Sequence, residues 1–287
     1  MSGFYNELCT VHEVRSEYLD PLGLSSAVDD PLILSIIRSH SAAAARMSNR
    51  QFVPQVATRI FDVPPVWDRN IFSGIPRLDI NDDLLEIDTL TNGDGTVVTS
   101  SQYVTYPLNR TPIHQIALKS TQGLLWQSTQ GNKEGAISIA GVWGYHEDYT
   151  NAWQDTGATL QASLASSDTS ATVQTGLVQA GFLIRLDLEY LYVSAVTTGS
   201  PNDTLTLVRA VNGSTAAAHN SDVSVQRWQT QVGLTIRTAT AGTLRLRDNP
   251  IGDTIRIDGQ TFQTPRGVLE YIDRSLRQQG LEKVGIG

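Results

Sequence analysis

The 287-residue chain has one cysteine, Cys9. A lone thiol closes no disulfide within the chain and excludes a metal site built from several cysteines. Such a chain suits assembly in a reducing cytoplasm. Charge is scarce as well: 17% of residues are charged, against about 25% in ordinary soluble domains. Ser, Thr, Ala, Gln and Asn stand in their place, a surface common in β-rich proteins. Long apolar runs are missing; Leu32 to Leu34 is typical of those present. A bilayer-spanning helix needs about 20 apolar residues, so no membrane partner is expected. Residues 1–14 carry Glu7 and Glu13 and no basic stretch leading into an apolar one, so no secretory leader is predicted.

Reactive chemistry is equally thin. The five histidines, His12, His40, His114, His146 and His219, form no HExxH and no close set with carboxylates at ligand spacing. GxSxG, GxxxxGKS and GxGxxG are all absent. His146-Glu147-Asp148 follows a strand-like "VWGY" and reads as a solvated turn. His219, in "TAAAHNS", reads as a loop histidine held by a hydrogen bond rather than a general base. Asp94 sits in "TNGDGT", a turn motif without the alternating ligands and bidentate Glu of a calcium loop. Asp82-Asp83 reads as an exposed turn. No catalytic residue, metal site or cofactor is predicted.

The net charge of −8 makes the chain a poor clamp for DNA phosphates. From Arg227 onward, however, nine Arg or Lys face six Asp or Glu. The C-terminal part is thus basic and the remainder acidic. This is either chance on a solvated face or a docking surface for an acidic partner.

Regular structure is well signalled. "DDPLILSIIRSHSAAAARMSNRQF" reads as a helix: Asp29 or Asp30 as cap, Pro31 in the first turn, Leu34, Ile37, Ala44 and Met47 at helical spacing, and Asn49 as the stop. From Gln55 to Tyr145 the period changes to two, with "VATRIF", "LLEIDTLTNGDGTVVT", "YVTYPL" and "GAISIAGVWGY" alternating between turn signals. A polar stretch from Asn151 opens a second β-rich region, which ends at Trp228. Closure of its strands would remove exposed edges. The five tryptophans (67, 126, 143, 153, 228) fall in or beside these regions and read as core or subunit-contact residues. "VGLTIRTATAGTLRLRD" fits a strand and a helix about equally. "DTIRIDGQTF" reads as a hairpin, and "PRGVLEYIDRSLRQQGL" as a helix with Leu269, Ile272 and Leu276 on one face.

Taken in order, these segments resemble the head-tail connector (adaptor) proteins of long-tailed bacteriophages. The likeness is carried by "NRQF", "TRIFDVPPV", "LLEIDTLTNGDGTVVTSSQYVTYPLN", "ISIAGVWGYHEDY" and "EYLYVSAVTTGSPNDTLTLVRAVNGSTAAAHNSDVSV", over residues 25–280. Similar proteins share the pattern "E...V..v....LTV.RG.NGTTA..H..G..V" in the last of these. Ala210 and Asp222 stand here where that pattern has glycine.

The resemblance implies an α+β fold: a helical connector core with β-hairpins and an inserted all-β, barrel-like module. It divides the chain into an arm (1–28), a first core part (29–150), the module (151–228) and a second core part (229–287), and it assigns 230–247 to helix. The implied function is that of a structural virion protein, no enzyme. About twelve copies would form a homo-oligomeric ring at the neck, beneath the portal. The ring would join capsid to tail and extend the channel for DNA ejection, with DNA passing unbound along a carboxylate-lined bore. Partners are then the chain itself, the portal protein and the next neck or tail-terminator protein, with assembly in the host cytoplasm. The alternative is a virion decoration or host-surface-binding β module. Contacts to neighbouring subunits or the portal are expected from Phe4, Tyr5, Leu269, Tyr271, Ile272 and Leu276. Residues 265–287 are expected to be removable without unfolding the rest.

Overall fold

A computed structural model describes residues 3–20, 29–65, 77–129, 131–248, 255–257, 260–262 and 265–281. The chain divides into two compact units: Pro54–Tyr149, and Met1–Val53 together with Thr150–Gly287.

The unit Pro54–Tyr149 is one antiparallel sheet of β1 (Gln55–Phe61), β2 (Arg77–Thr91), β3 (Val97–Val98), β4 (Tyr103–Tyr106), β5 (Ile113–Leu118) and β6 (Ile137–Trp143). The spatial order is β1-β6-β2-β5-β4, with β3 paired to the far end of β2. One face collects the apolar residues of the alternation, among them Leu78, Ile80, Leu84, Ile116, Ile139 and Trp143, into a buried core. The turn at "TNGDGT" closes the β2–β3 hairpin: Gly95 has φ +84°, and Asp94 accepts from Thr96 N at 2.9 Å and Gln127 Nε2 at 2.5 Å. Asp82-Asp83 is no turn. β2 runs straight through it, with its register against β5 shifting between Asp79 and Leu84. Asp82 pairs with Arg59 at 2.5 Å, while its neighbour Asp83 is buried.

In the other unit, β7 (Trp153–Thr159), β8 (Ser170–Gln174), β9 (Leu183–Leu186), β10 (Glu189–Thr197), β11 (Asn202–Val208) and β12 (Ser224–Trp228) form a second six-stranded antiparallel sheet in the order β7-β12-β9-β10-β11-β8. Its outermost strands meet: Leu160 bridges Val173 and Gln161 N donates to Thr172 O at 2.9 Å. The sheet therefore closes on itself around Leu160, Val173, Leu186, Leu191, Val193 and Val225.

The same unit carries the helices: α1 (Val11–Val14), continued by a π turn over Arg15–Leu19, α2 (Asp30–Ser48), α3 (Val232–Asp248) and α4 (Pro265–Gln278), with the short hairpin β13 (Ile255–Ile257) and β14 (Gln260–Phe262). The turn residues Asp258-Gly259 lie outside the described residues. α2, α3 and α4 pack against one another. Asn49 stops α2 at φ 53°, but no side-chain hydrogen bond caps its start. Asp30 pairs instead with Arg15 at 3.0 Å, and Asp29 with Arg247 at 3.4 Å. In α3, Val232, Ile236, Ala239 and Leu244 are buried together with Thr235, Thr238 and Thr240. Those threonines produced the strand-like pattern. Each satisfies its hydroxyl inside the packing: Thr235 with Ser275 at 2.9 Å, Thr238 with Tyr18 at 3.1 Å, and Thr240 with His40 at 3.3 Å.

The expected α+β fold with a helical connector core is overturned. The protein is mostly β, two antiparallel sheets of six strands each, and its short helices make up 28% of it. The physical reason lies in residues 55–143. Strands read there as separate hairpins pair side by side into one sheet with its own core, through a β2 long enough to contact three other strands.

Candidate functional site

The polar residues of the family-like motif converge at one end of the closed sheet. The β9–β10 hairpin turns at Asp187, held at φ 52°, which delivers Glu189 to the start of β10. β11 ends at Val208, and Arg209 follows. The chain then reverses through Ala210 and a 3-10 turn over Val211–Gly213, and returns to the sheet beside His219.

Glu189 is the centre. Its Oε1 accepts from Arg209 Nε at 2.8 Å and Ala210 N at 3.0 Å. Its Oε2 accepts from Arg209 Nη2 at 2.7 Å, Ala217 N at 3.0 Å and His219 Nε2 at 2.9 Å. Arg209 also donates to the carbonyls of Ala165 and Asp168, both at 2.8 Å, and of Ala217 at 2.6 Å. The second ring nitrogen of His219 lies 2.7 Å from Asp187 Oδ2. Burial pushes the Glu189 carboxyl up, but the hydrogen bonds from Arg209, Ala217, His219 and Ala210 outweigh it and leave it at about 2.

This arrangement joins three chain segments, 165–168, 187–189 and 209–219, through charge-assisted hydrogen bonds centred on the buried Glu189 carboxylate. It offers little reactivity. Both nitrogens of the buried His219 lie against carboxylates, those of Asp187 and Glu189, so neither is turned toward a substrate. The hydroxyl of Ser214 bonds the backbone of Tyr190 and Val211. Among the described residues, no group of three His, Cys, Asp or Glu side chains is placed to hold a metal ion. His146 is a buried turn residue that accepts from Asp148 N at 2.9 Å.

Beside this network the N-terminal arm is fastened down. Asn212, buried at φ 51°, grips it through three bonds: Tyr5 N to Oδ1 at 2.8 Å, Nδ2 to Tyr5 O at 3.1 Å, and its own N to Gly3 O at 3.3 Å. Tyr5 stacks on Tyr192 with ring centroids 4.1 Å apart. Burial first, and then the Glu7 carboxylate, push the Tyr192 phenol up to about 12. Further on, Leu8 N donates to Ser41 Oγ at 3.2 Å, and Glu7 pairs with Arg38 at 2.7 Å. Thr10 and Glu13 form a reciprocal cap at the start of α1, and Glu13 pairs with Arg227.

The residues expected at interfaces thus differ in their surroundings. Phe4 is 46% and Leu269 40% exposed. Tyr5 is stacked within its own chain, and Tyr271 is half-buried. Ile272 and Leu276 are buried with Val268 and Leu281, on a helix packed against α2 and α3. Sequence inspection did not single out Glu189, Arg209 or Asn212 as a set. The only signal for them was their place in the motif. Comparison with protein families, curated proteins and solved structures found no match for this chain.

Proposed function

We propose that the chain is a structural subunit of a phage neck, assembling with its own copies into a ring beneath the portal that extends the DNA channel toward the tail. The observation that carries this reading is a pair of backbone conformations. Ala210 and Asp222 have φ of 52° and 68°, the left-handed region that favours glycine. They are the two positions at which the connector motif has glycine. At both positions the chain adopts the conformation to which a glycine of that motif would be suited, which supports the reading. The motif's Glu189, Arg209, Asn212 and His219 each brace the fold, as suits a part that works by shape. A net charge of −8 suits a bore through which DNA slides without being held.

The test is the mass of the purified protein, alone and mixed with the portal protein of the phage that encodes it. A ring-sized assembly on the portal is expected. A chain that stays single beside the portal, and is missing from intact particles, overturns the reading.

A further inference from the structure

The two six-stranded sheets treat their edges in opposite ways. The sheet around Leu191 and Val225 closes where Leu160 bridges Val173. The sheet of Pro54–Tyr149 stays open, with β1 at one edge and β4 at the other. Among the described residues β1 pairs only with β6 and β4 only with β5. The Trp143 indole donates to Ala57 O at 2.8 Å; beyond that and the ladders, no hydrogen bond from the described residues reaches the backbone of 55–61 or 103–106. Each edge strand therefore offers a row of unpaired N–H and C=O groups.

Free edges are ordinarily guarded by a bulge, a proline, a lysine or an inward charge. β1 has no such guard, and β4 has only its shortness, four residues. The registers Gln55↔Trp143 to Phe61↔Ile137 and Tyr103↔Leu118 to Tyr106↔Gln115 run without a shift. "QVATRIF" and "YVTY" contain no Lys and no Pro. The one charge, Arg59, lies over the Trp143 ring at 4.4 Å and pairs with Asp82, so it is held by its own sheet. Ile60, on β1, is 69% exposed. Both strands are rich in the β-branched and aromatic residues that favour pairing.

We infer that β1 of one copy pairs with β4 of the next, so that this sheet continues from subunit to subunit. The inference rests on the ring reading above and supplies its lateral contact. A closed ring needs a heterologous interface, one patch meeting a different patch, and the two ends of a single open sheet are such a pair. Four antiparallel steps separate β1 from β4, so both strands run the same way. A copy related by rotation about the ring axis presents β1 parallel to its neighbour's β4. The ladder is limited by the four residues of β4 and is parallel, the slightly weaker arrangement. Each contact is therefore weak alone and gains from closure of the ring.

The test uses the full chain in two variants, Ile60→Lys on β1 and Val104→Lys on β4, each adding an edge charge. Native mass is followed over a rising concentration series, and urea unfolding checks that each variant folds. Wild type is expected to assemble and each variant to stay single. An equimolar mixture should stop at one-to-one pairs, because each variant keeps one intact edge. Variants that assemble like wild type overturn the edge contact and leave the ring reading standing; a variant that dimerises by itself shows edge pairing of like with like and also overturns it. A wild type that stays single at every concentration, and beside the portal protein, removes both readings. Should a variant fail to fold, hydrogen exchange on wild type decides. Alternate amides of 55–61 and 103–106 are expected to exchange freely in the single chain and at least roughly tenfold more slowly on assembly. Unchanged exchange on assembly overturns the inference.

Discussion

Glu189 and Arg209 face each other through two parallel hydrogen bonds, 2.8 and 2.7 Å long, with side chains 0% and 7% exposed. Removing one partner of such a pair leaves a buried charge and costs about 3–5 kcal/mol. In Arg209→Met the carboxylate keeps His219 and two backbone donors, so a loss near the lower end, about 3 kcal/mol, is expected. Arg209→Lys restores the charge without the planar fork that also reaches Ala165 and Asp168, and should recover only part of it. Urea unfolding of the full chain measures both. Equal stability of the Met variant and wild type would show that the pair does not hold these loops.

Ala210 and Asp222 invite the opposite experiment. A left-handed conformation costs a residue with a Cβ about 1–2 kcal/mol, and glycine returns part of this through the greater freedom of its unfolded chain, about 0.4–1 kcal/mol. Ala210→Gly and Asp222→Gly are each expected to stabilise by about 0.5–1 kcal/mol. Asn212 is left-handed too, but Asn212→Gly should not stabilise, because its side chain holds Tyr5. The ordering of these three variants in unfolding midpoint is the readout.

Acid should act in two separate windows. His40 lies between Thr240 and Thr243 at 3.3 Å from each, and burial pushes its imidazole down from 6.5 to about 4. The unfolded chain binds this proton first. Stability from His40 is therefore intact above about 6.5 and is lost as pH falls to about 4, by about 3 kcal/mol. Glu189 has its carboxyl lowered from 4.5 to about 2, so its contribution is present above about 4.5 and is lost between there and about 2, again about 3 kcal/mol. A His40→Gln variant should flatten the stability curve between pH 7 and 4 and leave the acidic limb unchanged. A variant curve with the wild-type slope above pH 4.5 would assign the upper window to other groups.

Local structure was largely written into the chain, and pairing was not. Alternation marked β1, β4 and β6, and the Asn-Gly and Asp-Gly steps marked the β2–β3 turn, because those signals act over a few residues. Nothing in alternation says which strand lies beside which, and the helical core came from the resemblance, which the pairing of these strands into one sheet overturns. Asp82-Asp83 read as an exposed turn, yet both lie within β2, where its register against β5 is interrupted. α3 was ambiguous because its threonines point inward to partners as distant in sequence as Tyr18 and His40. Glu189 escaped notice for a similar reason. Its partners Arg209 and His219 stand 20 and 30 residues away, and no local pattern distinguishes a buried Glu from an exposed one at a strand start.

Loss of the C-terminal helix should unfold more than the helix. Ile272, Leu276 and Leu281 are buried, and Arg50 donates to Leu281 O at 2.8 Å. Deleting 265–287 strips three or more large side chains from the layer that α4 shares with α2 and α3, at about 2–5 kcal/mol for each such residue, close to the whole stability of an ordinary domain. The truncated chain is expected to aggregate or to melt without a cooperative transition. A soluble product with wild-type cooperativity would mean that α4 is an appendage after all. Leu269→Ser is the gentler probe of a surface role: its side chain is 40% exposed, and the fold should survive it.

The N-terminal arm gives a finer test, because its seat depends on single atoms. Gly233 admits it: a Cβ there would lie 2.6 Å from Leu8 O, which is backbone and cannot swing aside. Asn212 holds it further out through both ends of its amide. Asn212→Ala removes two hydrogen bonds to Tyr5 and is expected to cost about 1–2 kcal/mol, with faster amide exchange confined to residues 3–9. Gly233→Ala should displace the arm at Leu8 while Tyr5 remains on Tyr192. If the arm is seated as described, the two variants loosen different parts of it and the closed sheet stays protected in both. Exchange that rises equally along the arm and across β10 to β12 in Asn212→Ala would show instead that the arm is a structural part of the closed sheet, and no separable strap.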